Sequence, residues 1–369
     1  MSTLAQQMRD TVWQRRGVAG WLAWLLLLPA SALFALGVLL RTAAYRVGLR
    51  RVRHAGIAVV SVGNLSVGGT GKTPVSLWLA RQLDARGRRV AILLRGYGGR
   101  ADGVTVVSHG DGPVVDVTTA GDEAIMLARC FDGVVLTARR RIDGVTAAER
   151  LGCDCVVLDD GFQHWALARD VDLVLTDGRR DVLLPAGPLR EGHWALRRAD
   201  AVLLVHKQPA HTPAPTLDLP PDGPPVFPVR FCPVALVESV AGRWLEHPVG
   251  LLSGRHVAVI AGIANPAPFY EVLRQWEVQI EEIFEFPDHH HYSREDWQRL
   301  SRDTREIDLV VTTEKDLVKL EAYPFAKGKL VALRIAPEIE GGDDLVRLVM
   351  ARTHRPATHG TQEDPDGHR

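Results

Sequence analysis

The segment best suited to bind phosphate joins a predicted strand to a predicted helix. Its last five residues, Gly-Thr-Gly-Lys-Thr at 69–73, match the end of a Walker A loop. Glycines let the backbone curl so that its N–H groups point at phosphate oxygens, and the helix adds its positive N-terminal end. The strict consensus has glycine where this chain has Ser66, which lowers the specificity of the motif without removing its chemistry. The predicted nucleotide contacts are Ser66, Val67, Gly68, Gly69, Thr70, Gly71, Lys72 and Thr73.

Lys72 is predicted to be catalytic and Thr73 to bind a metal ion. In such loops the lysine reaches the β- and γ-phosphates of the nucleotide, and the hydroxyl binds Mg²⁺. The chain has 38 arginines but six lysines, and Lys72 is the only lysine among its first 206 residues. A compact ammonium on a flexible stem suits this position better than a guanidinium does.

A second motif is an apolar run that ends in two acids. Residues 153–164 are CDCVVLDDGFQH, in which Asp159 and Asp160 follow the apolar run. An acid at the end of such a strand holds Mg²⁺ directly or through water, so both are predicted metal ligands. Gln163 and His164 come next and are expected to support the metal or the substrate.

The elements that must position these residues alternate as strand, loop and helix. Apolar runs of this kind are typical of buried parallel strands with helices on both faces, which predicts an α/β sandwich. The predicted strands of the first half are 57–62, 90–94, 134–137, 155–158, 173–176 and 201–205, with helices that include 73–86 and 122–129. A second series has strands 256–262, 279–284, 308–312 and 329–335 and helices 266–276 and 294–305.

The amino terminus predicts a membrane-associated helix. Residues 21–40 contain 17 apolar residues out of 20, and twenty helical residues span about 30 Å, the thickness of the hydrocarbon core. Three arginines precede the apolar segment and five follow it, a bias that favours a cytoplasmic location for the rest of the chain. A cleaved signal peptide and a buried core helix are the alternatives. The arginines that follow, which suit anionic headgroups, are Arg41, Arg46, Arg50, Arg51 and Arg53.

Five parts are therefore expected along the chain. Eight prolines fall between residues 208 and 228, which indicates a connection between domains. The predicted parts are a membrane-anchoring and basic segment at 1–55, a P-loop domain at 56–207, a connection at 208–250, a smaller α/β lobe at 251–352 and a disordered tail at 353–369.

Composition excludes several classes of protein. Lys+Arg and Asp+Glu are both 44, so the formal net charge is zero and no surplus of positive charge favours nucleic acid. Four cysteines at irregular spacing fit neither a disulfide scaffold nor paired CxxC zinc ligands. We expect buried, reduced thiols and a monomer.

Together these motifs resemble a known family. The membrane-proximal amino terminus and seven further stretches are similar to those of tetraacyldisaccharide 4′-kinase, the lipid A 4′-kinase of Gram-negative bacteria. These stretches are 61–74, 94–98 (LRGYG), 121–123 (GDE), 158–164, 184–191 (LPAGPLRE), 288–289 (DH) and 313–316 (TEKD). The resemblance implies a P-loop NTPase-like α/β/α fold with a second lobe and the active site between the two. It also implies an enzyme of the bacterial inner membrane that faces the cytoplasm and phosphorylates a lipid-linked disaccharide with ATP and Mg²⁺. One departure is Gly192, where proline is expected.

The acceptor in such a reaction is a sugar hydroxyl, which needs a general base. Asp122 follows a glycine at the start of a predicted helix and is the predicted base, although a plain N-cap is the alternative. The family resemblance implies a partnering histidine, for which His289 in the second lobe is the candidate. Glu123 is a further predicted metal ligand. Three consecutive histidines at 289–291 also invite a metal site, of which at most His289 and His291 could share an ion.

Several polar residues are predicted to bind the acceptor. Arginine's planar fork suits phosphate, but each arginine here could equally form an ordinary salt bridge. The predicted substrate contacts are Arg95, Gln163, His164 and Arg190, with Arg197 and Arg198 as further possibilities. Residues 313–316 are expected to form a loop that faces the cleft.

Two other functions fit the same motifs. A P-loop GTPase or ATPase switch, or a metallochaperone-like protein, would also need the phosphate loop. GTP selectivity usually comes from an Asn-Lys-x-Asp loop, and residues 205–208 (VHKQ) match it only in part. An interaction protein with a degenerate nucleotide fold is disfavoured because Lys72, Thr73 and both aspartates are present.

Overall fold

One continuous β-sheet runs through the part of the chain that the computed structural model describes, residues 11–206, 217, 219–326 and 328–354. The strands of the first half are β1 (Ala58–Asn64), β2 (Val90–Leu94), β3 (Val104–Ser108), β4 (Val134–Ala138), β5 (Cys155–Asp159), β6 (Val171–Thr176) and β7 (Ala201–Val205). Those of the second half are β8 (Val226–Val240), β9 (Arg243–His247), β10 (His256–Ala261), β11 (Gln279–Glu285), β12 (Leu309–Thr313) and β13 (Leu330–Ile339).

Helices accompany this sheet. They are α1 (Gly17–Arg46), α2 (Lys72–Asp84), α3 (Val117–Ala120), α4 (Asp122–Cys130), α5 (Arg141–Arg150), α6 (Ala267–Arg274), α7 (Arg294–Asp303), α8 (Glu314–Leu320) and α9 (Gly342–Thr353). The sheet order is β11-β10-β12-β13-β8-β7-β6-β1-β5-β2-β4-β3, with β9 paired to β8. The predicted α/β fold with an N-terminal apolar helix is confirmed.

The centre of the first half is a parallel sheet that places the two sequence motifs side by side. β1 lies between β5 and β6, and every residue of β1 and β5 is buried. The register pairs Ala58 with Cys155 and Val62 with Asp159. Because the two strands are parallel, the phosphate loop after β1 and the carboxylates after β5 meet at one edge of the sheet.

β8 continues the sheet from the first half of the chain into the second. Its start pairs in parallel with β7, with Val202 opposite Val226, and its later residues pair antiparallel with β13, with Ala332 opposite Val237. The region predicted as a connection, 208–250, thus contains a fifteen-residue strand. Residues 207–216 lie outside the described residues, and the division into domains stays a prediction.

α1 is mostly exposed but is attached to the body of the protein. Among the described residues, α1 is the one helix long and apolar enough to cross a membrane. Ser31 is one of its two buried residues, although it lies within the apolar run. Its hydroxyl donates to the carbonyl of Leu183 and accepts from the N–H of Ala186, both at 3.0 Å.

The structure corrects the expectation of a loop at 313–316. Thr313 ends β12 and is the N-cap of α8, where its side chain accepts from the N–H of Asp316 at 3.1 Å. The residues after it are therefore helical. In the predicted tail, Thr353 is the buried last residue of α9, and residues 355–369 lie outside the described part of the chain.

Candidate active site

The phosphate loop leaves β1 and enters α2 with its glycines in conformations that other residues disfavour. Gly68 and Gly71 have φ of 102° and 85°, and Gly71 is the N-cap of α2. A side chain at Gly71 would also meet the ring of Phe231, a residue of β8, at 2.0 Å. Inside the loop, the side chain of Asn64 donates to the hydroxyl of Thr70 at 2.8 Å.

The carboxylates after β5 contact this loop. The hydroxyl of Thr73 donates to Oδ2 of Asp159 at 2.8 Å. The ammonium of Lys72 lies 3.6 Å from Oδ1 of Asp160, and Arg190 donates to the same carboxylate at 3.0 Å. Asp160 therefore faces two cations, whereas Asp159 accepts from two hydroxyls, those of Thr73 and Ser76.

These different surroundings separate the pKa values of the two acids. Burial and the negative charge of Glu123 raise the pKa of Asp159 to about 6. Burial also acts to raise the pKa of Asp160, but the charges of Lys72 and Arg190 outweigh it and hold that pKa below its usual value. Glu123 thus lies close enough to Asp159 for their charges to interact.

Asp122 and His289 meet across the two halves of the chain. Asp122 is the first residue of α4 and is 5% exposed, and His289 lies in the loop between β11 and α7. Nδ1 of His289 lies 3.0 Å and 3.1 Å from the two carboxylate oxygens. His289 has a φ of 58°, which is uncommon for a residue with a side chain. The structure thus contains the contact that the predicted pair requires.

Two lysines of α8 surround this pair. Lys315 lies 3.0 Å from Oδ1 of Asp288, 3.1 Å from Nε2 of His289 and 3.5 Å from Oε1 of Glu123. Lys319 is buried, with its ammonium 3.6 Å from Asp122. Lys315 in the first turn and Lys319 in the last turn of α8 therefore bring positive charge to the carboxylates of α4.

The charges keep Asp122 ionised. Burial acts to raise its pKa, but the hydrogen bond from His289 and the charges of Lys315 and Lys319 lower it below the usual value. The hydrogen bond to Asp122 raises the pKa of His289 against the opposing effects of burial and Lys315. A buried carboxylate with a depressed pKa that a histidine orients can accept a proton at neutral pH.

The predicted substrate residues are distributed around the phosphate loop. Gln163 donates to the carbonyl of Asn64 at 2.7 Å, and Arg190 contacts Asp160 as described above. Arg95 is exposed and directly follows β2. Burial and nearby arginines lower the pKa of His164 to about 4, so this imidazole is neutral.

Arg198 has a structural role, and a phosphate contact is not indicated. It pairs with the buried carboxylate of Glu191 at 2.6 Å and lies 3.6 Å from the ring centroid of Phe162. Gly192, where proline was expected, lies against the ring of Trp194, which a Cβ would meet at 1.9 Å. Trp194 therefore packs against the loop at Gly192, the position where proline was expected.

The oxygen atoms that could bind a metal ion lie on separate side chains and are not grouped into one site. Within the described ranges, no three His, Cys, Asp or Glu side chains form a preformed ion site. His290 lies 3.1 Å from Asp296, and His289 faces Asp122, so the histidine run gives no support for a metal site. Mg²⁺ usually takes one or two carboxylates together with substrate phosphates, and Asp159, Thr73 and Glu123 offer the oxygen ligands it prefers.

Sequence reasoning missed the lysines of α8 and a buried arginine. Arg141, at the start of α5, donates to the carbonyl of Ala138 at 2.6 Å, and its charge interacts with both Asp159 and Asp160. Lys315 lies in the TEKD motif, whose role could not be predicted because it depends on how α8 meets α4. The scarcity of lysine in this chain was a usable signal for Lys315, as it was for Lys72.

Comparisons with known proteins agree with this geometry. A family model described as LpxK, tetraacyldisaccharide-1-P 4′-kinase, matches residues 23–354. The chain belongs to the tetraacyldisaccharide-1-P 4′-kinase family. The match extends from within α1 to α9, so the phosphate loop and the Asp122–His289 pair both lie inside the part that defines the kinase family.

Curated relatives and a solved structure extend the likeness over most of the chain. The tetraacyldisaccharide 4′-kinase of Anaeromyxobacter sp. (strain K) is 40% identical over 360 residues, covering 92% of this chain and 94% of the relative. That of Geobacter metallireducens is 41% identical over 305 residues, covering 80% and 88%. A crystal structure of an "apo" form of LpxK from Aquifex aeolicus in complex with ATP has 31% identity and a TM-score of 0.76, covering 90% of this chain and 100% of that one.

Proposed function

We propose that this chain transfers the γ-phosphate of ATP to the 4′-hydroxyl of a tetraacyldisaccharide 1-phosphate, a step of lipid A biosynthesis. The observation that carries the proposal is the family match across residues 23–354, which contains both the phosphate loop and the Asp122–His289 pair. ATP in the crystal structure of the A. aeolicus relative supports ATP as the phosphate donor.

Lys72 and the loop backbone are proposed to bind the phosphates. Phosphoryl transfer depends mostly on positioning and charge neutralisation, and Lys72 supplies a mobile positive charge at the helix N-terminus. The carboxylate of Asp160 lies 3.6 Å from that ammonium and helps to hold it at the loop. The predicted contacts Ser66 to Thr73 remain the proposed nucleotide site.

Asp122 is proposed as the base for the acceptor hydroxyl. Its carboxylate is ionised and buried, so it can take the hydroxyl proton as the phosphoryl group is transferred. His289 orients this carboxylate through its Nδ1–H group. The base comes from the first lobe and its partner from the second, so the second lobe must be in place for the pair to form.

Mg²⁺ is proposed to be held by Thr73 and Asp159, with Glu123 beside them. When bound, the ion would neutralise charge on the phosphate oxygens of ATP. Asp160 is a weaker candidate because its carboxylate already faces Lys72 and Arg190.

Arg95, Gln163, His164 and Arg190 are proposed to contact the acceptor. They lie on the loops after β2 and β5 and in the segment that follows β6, at the edge of the sheet where the carboxylates meet the phosphate loop. The chain is proposed to act as a monomer. Residues 56–207 and 251–352 are the proposed lobes.

The membrane partner is proposed to be the bacterial inner membrane, with both lobes on its cytoplasmic side. α1 and the residues just before it contact the first lobe at three places. Trp13, which precedes α1, donates to the carbonyl of Pro185 at 3.0 Å. Ser31 bonds to the lobe from the middle of α1, and Tyr45 near its end stacks on Trp165. A helix that crossed the bilayer away from the lobe could not make all three contacts. The arrangement therefore favours a helix that lies along the membrane surface.

Transfer of labelled γ-phosphate from ATP to a tetraacyldisaccharide 1-phosphate tests this function. The kinase should consume ATP only when the acceptor is present and should label the acceptor. A nucleotide-dependent switch would hydrolyse ATP slowly without acceptor and leave the acceptor unlabelled, which would overturn the proposal.

A further inference from the structure

We propose that Lys315 is a positioning residue that keeps His289 singly protonated, with the proton on Nδ1 facing Asp122. The inference rests on the proposed function, because it concerns how the proposed base is oriented. It gives a role to the lysine of the TEKD motif, which could not be assigned from the sequence.

The two ring nitrogens of His289 face groups of opposite hydrogen-bonding character. Nδ1 lies 3.0 Å from Oδ2 of Asp122, and an ionised carboxylate can only accept. Nε2 lies 3.1 Å from the ammonium of Lys315, which can only donate. Both contacts are hydrogen bonds when Nδ1 carries a proton and Nε2 carries none. The two neighbours therefore select the neutral Nδ1–H form of the imidazole.

Carboxylates lie on both sides of this ring. Asp122 faces Nδ1, and Oδ2 of Asp288 lies 3.9 Å from Nε2. Two acids around one imidazole favour a second proton, and the hydrogen bond to Asp122 raises the pKa of His289. The charge of Lys315 acts in the opposite direction, and its ammonium lies closer to Nε2 than the carboxylate of Asp288 does. Lys315 therefore opposes the proton that the two acids favour.

Acidic neighbours keep Lys315 itself charged. Its ammonium lies 3.0 Å from Oδ1 of Asp288 and 3.5 Å from Oε1 of Glu123, and its side chain is 15% exposed. The negative charges of Asp122, Glu123 and Asp288 raise its pKa, although burial opposes them. A lysine that stays an ammonium has no lone pair, so it cannot accept a hydrogen bond from Nε2.

The residues on either side of Lys315 fix the first turn of α8. Glu314 pairs with Arg334 of β13 at 2.5 Å. Asp316 is buried and accepts from the N–H of Gly262, just after β10, at 2.8 Å. The lysine between them thus starts from a backbone that is attached to two strands of the second half.

The ring of His289 is held in a matching position. Oδ1 of Asp288 accepts from the backbone N–H of His289 at 3.1 Å as well as from Lys315. The ring of Tyr97 packs against the imidazole, with 4.9 Å between the centroids. Asp288 therefore connects the lysine to the backbone of the histidine, so the contact between Lys315 and Nε2 is built into the fold.

This protonation state suits the proposed base. A neutral Nδ1–H group orients the carboxylate of Asp122 while the positive charge stays on Lys315, at the far side of the ring. A doubly protonated ring would place that charge directly at Asp122 and weaken its affinity for the hydroxyl proton. We therefore expect Lys315 to act on the base through His289.

NMR of the ring nitrogens of His289 tests this proposal in the full-length protein, labelled with ¹⁵N-histidine and held in detergent micelles. The signals of His289 are identified by their loss in His289→Gln. In wild type above the titration midpoint of the ring, Nδ1 should have the shift of a protonated nitrogen and Nε2 that of a nonprotonated one. In Lys315→Met the midpoint should move upward by about one pH unit or more, because both carboxylates remain while the ammonium is gone. Lys315→Arg, whose guanidinium also can only donate, should stay close to wild type, as should the matched control Lys329→Met.

Label transfer from ATP to the tetraacyldisaccharide 1-phosphate gives a second readout. Lys315→Met should lower kcat by about 10- to 100-fold, the range found for residues that orient metal-binding histidines. The KM for ATP should stay close to wild type, and Lys315→Arg should retain most of the activity. When Lys315→Met is combined with His289→Ala, it should add little further loss, because the residue through which it acts is absent.

Each outcome supports or overturns a separate statement. A wild-type spectrum with the single proton on Nε2 would overturn the proposal, and this spectrum decides even if Lys315→Met fails to fold. An unchanged midpoint in Lys315→Met would overturn it as well. So would kcat losses that multiply in the double variant, since Lys315 would then act directly on the phosphates or on Glu123. If wild type has the Nδ1–H form but does not label the acceptor, the proposed function fails while the position of the proton stands.

Discussion

Lys72, Asp160 and Arg190 form a row of alternating charges beside the phosphate loop. Lys72 lies 3.6 Å from Asp160, and Arg190 lies 3.0 Å from the same carboxylate. All three side chains are partly exposed, so the pairing contributes little to stability. The pairing instead determines where the ammonium of Lys72 lies. It holds this group at the helix N-terminus, where phosphates bind.

Replacement of Lys72 by alanine should lower kcat by about 10²- to 10³-fold or more, since it removes the positive charge that faces the transferred phosphate. The thermal midpoint should change little, because Asp160 keeps its pairing with Arg190 when the ammonium is removed. Lys329→Ala is the control, since Lys329 is partly exposed and its ammonium donates to the carbonyl of Arg305. Near-normal turnover by purified Lys72→Ala would contradict the role of the loop.

The pH dependence of the reaction should respond to His289. In wild type, the hydrogen bond from His289 helps to hold the pKa of Asp122 low against burial. In His289→Ala that contribution is lost while burial remains, so the pKa of Asp122 rises. The acidic limb of kcat/KM should therefore move to higher pH, as measured with buffers of constant ionic strength.

His290→Ala serves as the matched control for the acidic limb of the pH dependence of kcat/KM. His290 is adjacent in sequence but faces Asp296 at 3.1 Å. The acidic limb of this variant should coincide with that of wild type. A limb that stays in place in His289→Ala would show that another group sets it.

At the scale of elements, α1 is a structural part of the site. Ser31 interrupts the apolar run of a helix whose other residues are mostly exposed, and its hydroxyl bonds twice to the segment before Arg190. In Ser31→Ala the carbonyl of Leu183 and the N–H of Ala186 lose their partner at the buried contact. Unsatisfied buried groups of this kind cost about 1–3 kcal/mol each.

Ser31→Ala should therefore raise the KM for the acceptor several-fold while the KM for ATP stays close to wild type. Ala32→Ser, which adds a hydroxyl at the neighbouring exposed position, is the matched control and should leave both values unchanged. Steady-state kinetics in mixed micelles measure both. Equal values for Ser31→Ala and wild type would show that α1 serves only to attach the protein to the membrane.

Sequence patterns predicted the strands that are buried along their whole length and the helix that follows the phosphate loop. β1, β5 and α2 were expected within two residues of their observed bounds, because buried parallel strands and the phosphate loop leave strong signals. β8 was missed because it contains Pro228 and Pro233, follows a proline-rich segment and is partly exposed. Its pairing with both β7 and β13 becomes visible only in three dimensions.

The residues of the candidate site that belong to local sequence motifs could be predicted from the sequence. The phosphate loop and the paired aspartates are contiguous in sequence. Lys315 and Lys319 could not be assigned, because the carboxylates of α4 that they face are far away along the chain. His289 was placed through the family resemblance, since no spacing rule connects it to Asp122.

On the scale of the whole molecule, polar contacts between α4 and the second lobe complete the site. Arg129 pairs with Glu321 at 3.0 Å at one end of α4, and Asp122 faces His289 and Lys319 at the other. All five residues have side chains less than one quarter exposed, and Asp122 and Lys319 are at 5%. The two halves of the chain are thus joined through the helix that carries the proposed base, as well as through β8.

The most direct test of this account is a double-mutant cycle on kcat with Asp122→Asn, His289→Ala and the double variant. If the two residues from opposite lobes act as one unit, each single change should lower kcat by about 10²- to 10⁴-fold, and the double variant should be little worse than the worse single one. ATP affinity, measured in parallel by equilibrium binding, should be unchanged in all three. Losses that multiply in the double variant would contradict the account, because Asp122 and His289 would then contribute independently.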